Sequence, residues 1–290
     1  MALVGALVVV AMLAFAPSAW ANLFTPGPNA SPNASRIANL YTVTLVIAAI
    51  VFFGVEGTLL YALVRFRKRK GGVAVQIHGN TRLEWGWTIG AATILVALAI
   101  LTFAELQSIR TPADSGANGL TVAEGAVLNS SDAIKPKHGA YMTIQVNGQQ
   151  YIWRFTYLGF GKLADQLDDP YTYYHLYVPT NTTVVLKVVS QDVVHSWWIP
   201  ALGGKVQAVP GYTNWTWFEI SKPGTYRGQC AFICGRGHAE MKAVVTALPP
   251  KQWLVWLHNL EAGLKQNKEG GAAGRAVLGK ESGSAAVENP

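Results

Sequence analysis

At 290 residues, 50% hydrophobic and only 13% charged, with a mean hydropathy of +0.22, the chain is too apolar for an ordinary water-soluble protein and long enough for two structural units. Its net charge of +7 is not a nucleic-acid signature. Arg65, Arg67, Lys68, Arg69, Lys70 and Arg82 place six cations in one acid-free stretch between two apolar runs, a membrane-topology pattern, whereas 138–250 nearly balances eight Lys/Arg with six Asp/Glu.

Residues 1–21, MALVGALVVVAMLAFAPSAWA, end in the small-x-small triplet Ala19-Trp20-Ala21 and read as a signal peptide. The run lacks a basic start, so an uncleaved extra helix is the alternative. Residues 22–38 are rich in Pro, Asn and Ser and predict an exposed lead-in to a transmembrane hairpin over 22–106. Tyr41 to Val64 gives 24 residues with one charge, and Trp85 to Ala104 gives 20 with none. Each is long enough to cross a ~30 Å hydrocarbon core as a helix. Trp85 and Trp87 suit an interfacial belt, and the six-cation loop between the helices is expected to be cytoplasmic. Glu56 lies inside the first run. Such a carboxylate is either protonated and bonded to a neighbouring helix or handles protons, and both imply a larger membrane complex.

Residues 107–137 have the composition of a linker. From 138 to 250 short β-rich runs follow one another, with an Asn147-Gly148 turn signal inside YMTIQVNGQQYIWRFTY. Several strands over this length predict an all-β sandwich or barrel. Residues 251–267 show apolar positions at helical spacing and predict an amphipathic helix, and 268–290 are small and polar, with the composition of a disordered tail.

The chemistry concentrates in CAFICGRGHAEM, residues 230–241. It holds the only two cysteines, Cys230 and Cys234, with His238 and Met241 just downstream. A disulfide there would close too short a loop to stabilise much by chain entropy. Thiolates, imidazole and thioether together form a soft donor set suited to copper or zinc, and methionine favours copper. One thiolate suffices for a mononuclear blue-copper site, so the second asks for a second metal. A further imidazole is needed, and His195 in SQDVVHSWWIP ends a β-run. His138 and His175 are its rivals; His175 sits among tyrosines and reads as a surface or packed histidine, while His78 and His258 fall outside the β-rich segment.

These residues form a pattern. The chain resembles cytochrome c oxidase subunit II, the copper-bearing subunit of haem–copper oxidases. C-x-x-x-C-G-x-x-H-x-x-M appears as Cys230, Cys234, Gly235, His238 and Met241, and D-V-x-H-S-W as Asp192, Val193, His195, Ser196 and Trp197. PALGGKVQAVPG and LEWGWT match further family segments, and the resemblance covers about residues 36–255. It implies a membrane-anchored α+β chain: a two-helix hairpin followed by a cupredoxin-like Greek-key sandwich outside the membrane. It also implies a binuclear copper centre, CuA, bound by His195, Cys230, Cys234, His238 and Met241 with the backbone carbonyl of Phe232. Such a chain accepts single electrons from cytochrome c and passes them to haem in subunit I, beside subunit III, in the bacterial inner membrane. The oxidase as a whole is a proton-translocating oxidoreductase.

By the same resemblance Tyr151 or Trp153 is the point where electrons enter, and Glu84 marks the cytoplasmic mouth of a proton pathway. Asp165, Asp168, Asp169 and Asp192 are the expected acidic footprint for a basic cytochrome c. The sequence departs from the family where Phe232 replaces a Glu that helps hold magnesium, Gln207 replaces Asp and Tyr212 replaces Arg. A magnesium ligand from this chain is therefore not expected. No C-x-x-C-H is present, which excludes a fused haem c domain. Two other classes compete: a structural subunit that has lost copper, against which the full ligand set argues, and a membrane-anchored copper carrier, which would favour more exposed ligands.

Overall fold

The computed structural model describes residues 29–67, 76, 78–121, 133–160 and 169–270. The expected signal peptide, most of the cationic loop and the C-terminal tail from 271 lie outside the described residues. The chain divides into two compact units, one holding 36–109 and the other 29–35 together with the residues from 110 onward.

The first unit is built on two helices, α1 (Pro32–Arg65) and α2 (Thr81–Arg110), both long and apolar enough to cross a membrane. Both run past the apolar segments that reveal them in the sequence. At ~1.5 Å per residue, their 34 and 30 residues exceed what a ~30 Å core requires, so polar turns extend beyond it. No α2 residue is buried, and Phe53 and Phe103 are more than 70% exposed, as expected of surfaces made for lipid or neighbouring helices. Hydroxyls of Thr42, Thr58, Thr88, Thr93 and Thr102 donate to the carbonyls four residues back, so none is left unsatisfied in an apolar medium. Asn80 caps α2 through the Leu83 N–H (3.2 Å), and Glu84 Oε1 reaches back to the Asn80 N–H (3.1 Å). Arg36 donates to the Ser108 carbonyl, tying the start of one helix to the end of the other.

The second unit is a β-sandwich. Its larger sheet has the order β3-β2-β1-β5-β8, from Tyr171–Tyr173, Ile152–Leu158, Tyr141–Gln149, Thr183–Ser190 and Asn214–Glu219. The smaller has the order β4-β10-β9, from His175–Pro179, Lys242–Leu248 and Gly224–Gln229. A two-stranded ribbon joins β6 (His195–Trp197) to β7 (Val206–Ala208). Parallel pairing of β1 with β5 and of β4 with β10 interrupts otherwise antiparallel sheets, so the chain crosses between layers rather than meandering. The period-two rule decides which face each residue serves. Val184, Leu186 and Val188 enter the inter-sheet core with Ile144, Val146, Phe155, Leu176 and Val245, while Val185 turns outward into a small cluster with Tyr141 and Trp217.

Three expectations are corrected here. The Asn147-Gly148 pair is not the hairpin turn: Asn147 faces Arg154 and Gly148 faces Trp153 in the ladder, and the chain reverses at Gln150-Tyr151. Gly148 is required for close packing instead. A Cβ there would lie 2.9 Å from His195 Cδ2 and 3.1 Å from Trp153 Cζ3.

The stretch 107–137 is not a free linker where it is described. The Thr183 hydroxyl donates to the Ala113 carbonyl (2.6 Å), the Gly116 N–H to the Asn181 carbonyl (2.8 Å) and the Leu120 N–H to the Thr182 hydroxyl (2.9 Å). This strap covers the outer cluster through Ala113.

Residues 29–35 are not an exposed lead-in either. Ser31, Asn33 and Ala34 are buried. The Ala30 N–H donates to the Ala201 carbonyl (2.8 Å), Asn33 Nδ2 to the Trp217 carbonyl and the Glu219 N–H to the Ser31 hydroxyl (both 3.3 Å).

The amphipathic segment forms α3 (Pro250–Gly270). It buries Trp253 completely, with its Nε1 donating to the Tyr177 carbonyl at 3.0 Å, and stacks Trp256 on Tyr177 at 4.6 Å. Tyr177 stacks in turn on His175, also at 4.6 Å, and His175 Nε2 contacts the Thr246 hydroxyl at 2.8 Å. Burial first, then the Arg227 charge, pushes the His175 pKa down to about 4. Its folded pKa lies below the unfolded value near 6.5. Its contribution is therefore complete above that value and is lost as pH falls toward 4, because the unfolded chain takes the proton first. Urea unfolding at pH 7 and pH 5 should show wild type losing about 1–2 kcal/mol more than His175→Gln, after discounting for solvent screening.

Candidate metal centre

The centre is assembled from the start of β6 and the loop between β9 and β10. Backbone bonds first bring them together. The Gln229 N–H donates to the Trp198 carbonyl (3.1 Å) and the Ala231 N–H to the Ser196 carbonyl (2.9 Å). The Cys230 N–H donates to the Met241 carbonyl at 2.9 Å, which closes the loop on itself. Within it, Gly235 takes φ +132°, a conformation that side chains disfavour, and a short 3-10 helix, His238–Glu240, follows.

His195, Cys230, Cys234 and Met241 are all buried. The ligand atoms of His195, Cys230 and Cys234 lie within 4.8 Å of one another. His195 Nδ1 is 3.9 Å from Cys230 Sγ, His238 Nδ1 is 3.7 Å from Cys234 Sγ, and the two sulfurs are 3.9 Å apart. The Phe232 carbonyl is 3.3 Å from Cys230 Sγ, while its ring is 43% exposed and points no polar atom anywhere. Both thiols are free, and 3.9 Å is far beyond a disulfide bond of about 2.05 Å. It is also shorter than twice a metal–thiolate bond of about 2.3 Å, so both sulfurs can touch one ion and still offer lone pairs to another. The donors present therefore fit a soft metal.

The electrostatics fit as well. Burial opposes ionisation of Cys230, but hydrogen bonds from His195, Ser196, Phe232 and His238 outweigh it and bring the thiol down to about 6. Cys234 moves the other way, to about 11, through burial and then the negative charge of Cys230. Two adjacent thiolates therefore call for cationic charge between them.

His195 Nε2 meets Asp192 Oδ1 at 2.8 Å, which leaves Nδ1 to face the sulfurs. Asp192 also accepts the N–H groups of Val193 and Gln150, both at 2.6 Å. Its carboxyl is held below the usual range: burial pushes upward, and these bonds more than offset it.

The other expected positions separate clearly. Asp192 contacts His195 and is also exposed, so it keeps a place on the surface. Asp169 is only 4% exposed and takes the Gly159 N–H on both oxygens at 3.1 Å, so its place in a surface footprint is corrected; Asp165 and Asp168 lie outside the described residues. Trp153 is fully buried, with its ring edge-on to His195 at 5.9 Å, and is not a surface contact. Tyr151 is half-buried over the cysteine loop, where a Cβ on Gly237 would meet its ring at 2.5 Å. His138 contacts Asp114 (3.1 Å), His175 contacts Thr246, and His78 and His258 are exposed, so none competes with His195. Gln150 was not singled out from the sequence, and Gly148 only as a turn glycine, because tertiary contacts alone reveal their place at the site.

The fold and donors define a membrane-anchored cupredoxin-like protein with a buried dithiolate–imidazole cluster that could hold a metal ion. The comparisons agree. The family described as "Cytochrome C oxidase subunit II, periplasmic domain" matches residues 142–248, and the corresponding "transmembrane domain" matches 17–104. The chain belongs to the cytochrome c oxidase subunit II family. The cytochrome c oxidase subunit 2 of Synechocystis sp. is 30% identical over 257 residues, covering 79% of this chain and 73% of the relative. That of Alkalihalophilus pseudofirmus is 31% identical over 241 residues, 82% of this chain; the chain spans 62% of that relative's length. The periplasmic domain of subunit II of cytochrome oxidase (CoxB) of Bradyrhizobium japonicum aligns over 42% of this chain and 94% of its own, at 27% identity and a TM-score of 0.39.

Proposed function

We propose that this chain is subunit II of a respiratory haem–copper oxidase. It takes single electrons from cytochrome c at a binuclear copper centre and passes them to haem in subunit I, where oxygen is reduced to water. The observation that carries this reading is the pair of buried sulfurs 3.9 Å apart, each faced by an imidazole Nδ1. Cys230 and Cys234 would be shared between the ions, with His195 and His238 as their imidazoles and Met241 and the Phe232 carbonyl as weak outer donors. When bound, the copper pair supplies a one-electron redox couple. The chain's own contribution is a frame that holds the donors fixed and excludes water, so little needs to move when the charge changes.

Electrons would enter through Tyr151, above the cysteine loop, with Trp153 behind it against His195. With Asp169 buried, the acidic footprint for cytochrome c would comprise Asp165, Asp168 and Asp192. The chain would sit in the bacterial inner membrane beside subunits I and III, with the cationic loop cytoplasmic and the β-sandwich on the outer face. Glu84, at the start of α2, would stand at the cytoplasmic mouth of a proton route. Phe232 has no carboxylate, so this position offers no magnesium ligand.

Oxygen uptake by the purified complex tests the reading. Reduced cytochrome c should drive it and a quinol should not; equal rates with quinol, or a chain that takes up no copper, would overturn it. Asp192→Ala should weaken copper retention about 10–100-fold by freeing the His195 ring, as read by competition with a chelator.

A further inference from the structure

We propose that Gln150 is a positioning residue that locks the two ligand loops of the metal centre to each other. The loops are tied at their inner ends by the Ala231 N–H on the Ser196 carbonyl. Toward the β1–β2 turn, Gln150 bridges them with two different groups. Its backbone N–H donates to Asp192 Oδ2 at 2.6 Å, and the other oxygen of that carboxylate orients His195 Nε2. Its side-chain Nε2 donates to the Cys234 carbonyl at 2.7 Å. One residue thus fixes a histidine ligand on one loop and the peptide of a cysteine ligand on the other.

The residues around it reinforce the clamp. Gln149 donates its amide to the Gln191 side chain, and the Gln191 N–H donates to the Gly148 carbonyl at 3.2 Å, so the turn is fastened to the His195 loop on two more bonds. On the cysteine side, the Tyr151 ring lies against Gly237, and a Cβ on Gly235 would sit 2.6 Å from the Tyr151 hydroxyl and 3.0 Å from Gln150 Nε2. The two loop glycines leave the space that lets this turn close down on the loop. The β1–β2 turn is therefore a third loop of the centre. It donates no metal ligand and sets the spacing of those that do.

The physical consequence concerns motion. Cys230 and Cys234 are both buried in the core, but Cys234 directly follows the exposed pair Phe232 and Ile233. Without the amide of Gln150, the Cys234 peptide loses a donor that belongs to the opposite loop. The Cys234 sulfur then gains freedom relative to Cys230 and His195.

This inference rests on the reading of 230–241 as a metal loop and is independent of the electron donor. The test compares wild type with Gln150→Ala and the isosteric Gln150→Glu, as full chains in detergent; both variants keep the backbone N–H and lose the side-chain donor. Two quantities are read: the rate of copper loss to a chelator, and, in the metal-free chain, the rate at which oxidised glutathione couples Cys230 to Cys234. Both variants should lose copper about 10–100-fold faster, the scale of outer-shell contacts. Disulfide formation should accelerate several-fold, with the metal-free melting temperature unchanged. Rates within twofold of wild type, or changes that appear only together with a lowered melting temperature, would overturn the clamp. A wild-type chain that takes up no copper would instead sink the metal reading itself.

Discussion

Cys234→Ser should reduce the copper content of the purified chain from two ions to at most one and abolish cytochrome c-driven oxygen uptake. The two sulfurs are not equivalent before a metal arrives. Hydrogen bonds draw the Cys230 thiol down against its burial, while burial and its neighbour's charge hold Cys234 up. Serine at 234 removes that repulsion, but its hydroxyl is a hard, weakly acidic donor that cannot replace a shared thiolate. The loss should exceed the 10–100-fold typical of changes to outer-shell partners. Metal analysis beside oxygen uptake is the measurement, and two retained coppers would contradict the assignment of Cys234 as a shared ligand.

Among the described glycines, Gly228→Ala is expected to have the largest effect of an added methyl group. A Cβ at this position would lie 1.9 Å from the Trp198 carbonyl oxygen and 2.8 Å from the Ile199 Cα. Both are main-chain atoms, so no rotamer change relieves the contact. The crossing also carries the Gln229 N–H bond to the Trp198 carbonyl, which sets β9 against the strand that bears His195. The substitution should cost about 3 kcal/mol or more, at the upper end for overpacking, and should separate the two ligand loops even where the chain still folds. A copper-loaded variant with a wild-type melting curve would show that the strands have room to part.

How well each part could be read from the sequence follows from the range of the interactions that make it. The membrane helices were legible because apolar length is a local property; their ends were not, because polar terminal turns carry no such signal. The clustering of donor side chains was legible because Cys230, Cys234 and His238 share one loop, and His195 stood in a short motif of its own. The contacts that organise them are distant: Gln150 reaches Asp192 across 42 residues and Cys234 across 84. Gly148 looked like a turn glycine because Asn-Gly is a strong local signal. The need to pack His195 and Trp153 closely over that strand overrode it. Asp169 looked like a surface charge for the same reason, since nothing nearby in sequence announces that its carboxylate takes the Gly159 N–H.

The bonds made by Ala30, Ser31 and Asn33 have a bearing on how the protein is made. Asn33 reaches Trp217 across 184 residues and Ser31 reaches Glu219 across 188, with nearly all of α1 and the whole of α2 lying between. The β-sandwich unit is thus discontinuous in sequence. During synthesis, the N-terminal end of α1 and the residues just before it emerge long before the strand they complete, and their docking must wait until β8 has formed. A water-soluble version cut after α2 would leave the Ala201 and Trp217 carbonyls and the Glu219 amide without these partners, and would start life with an unfinished edge.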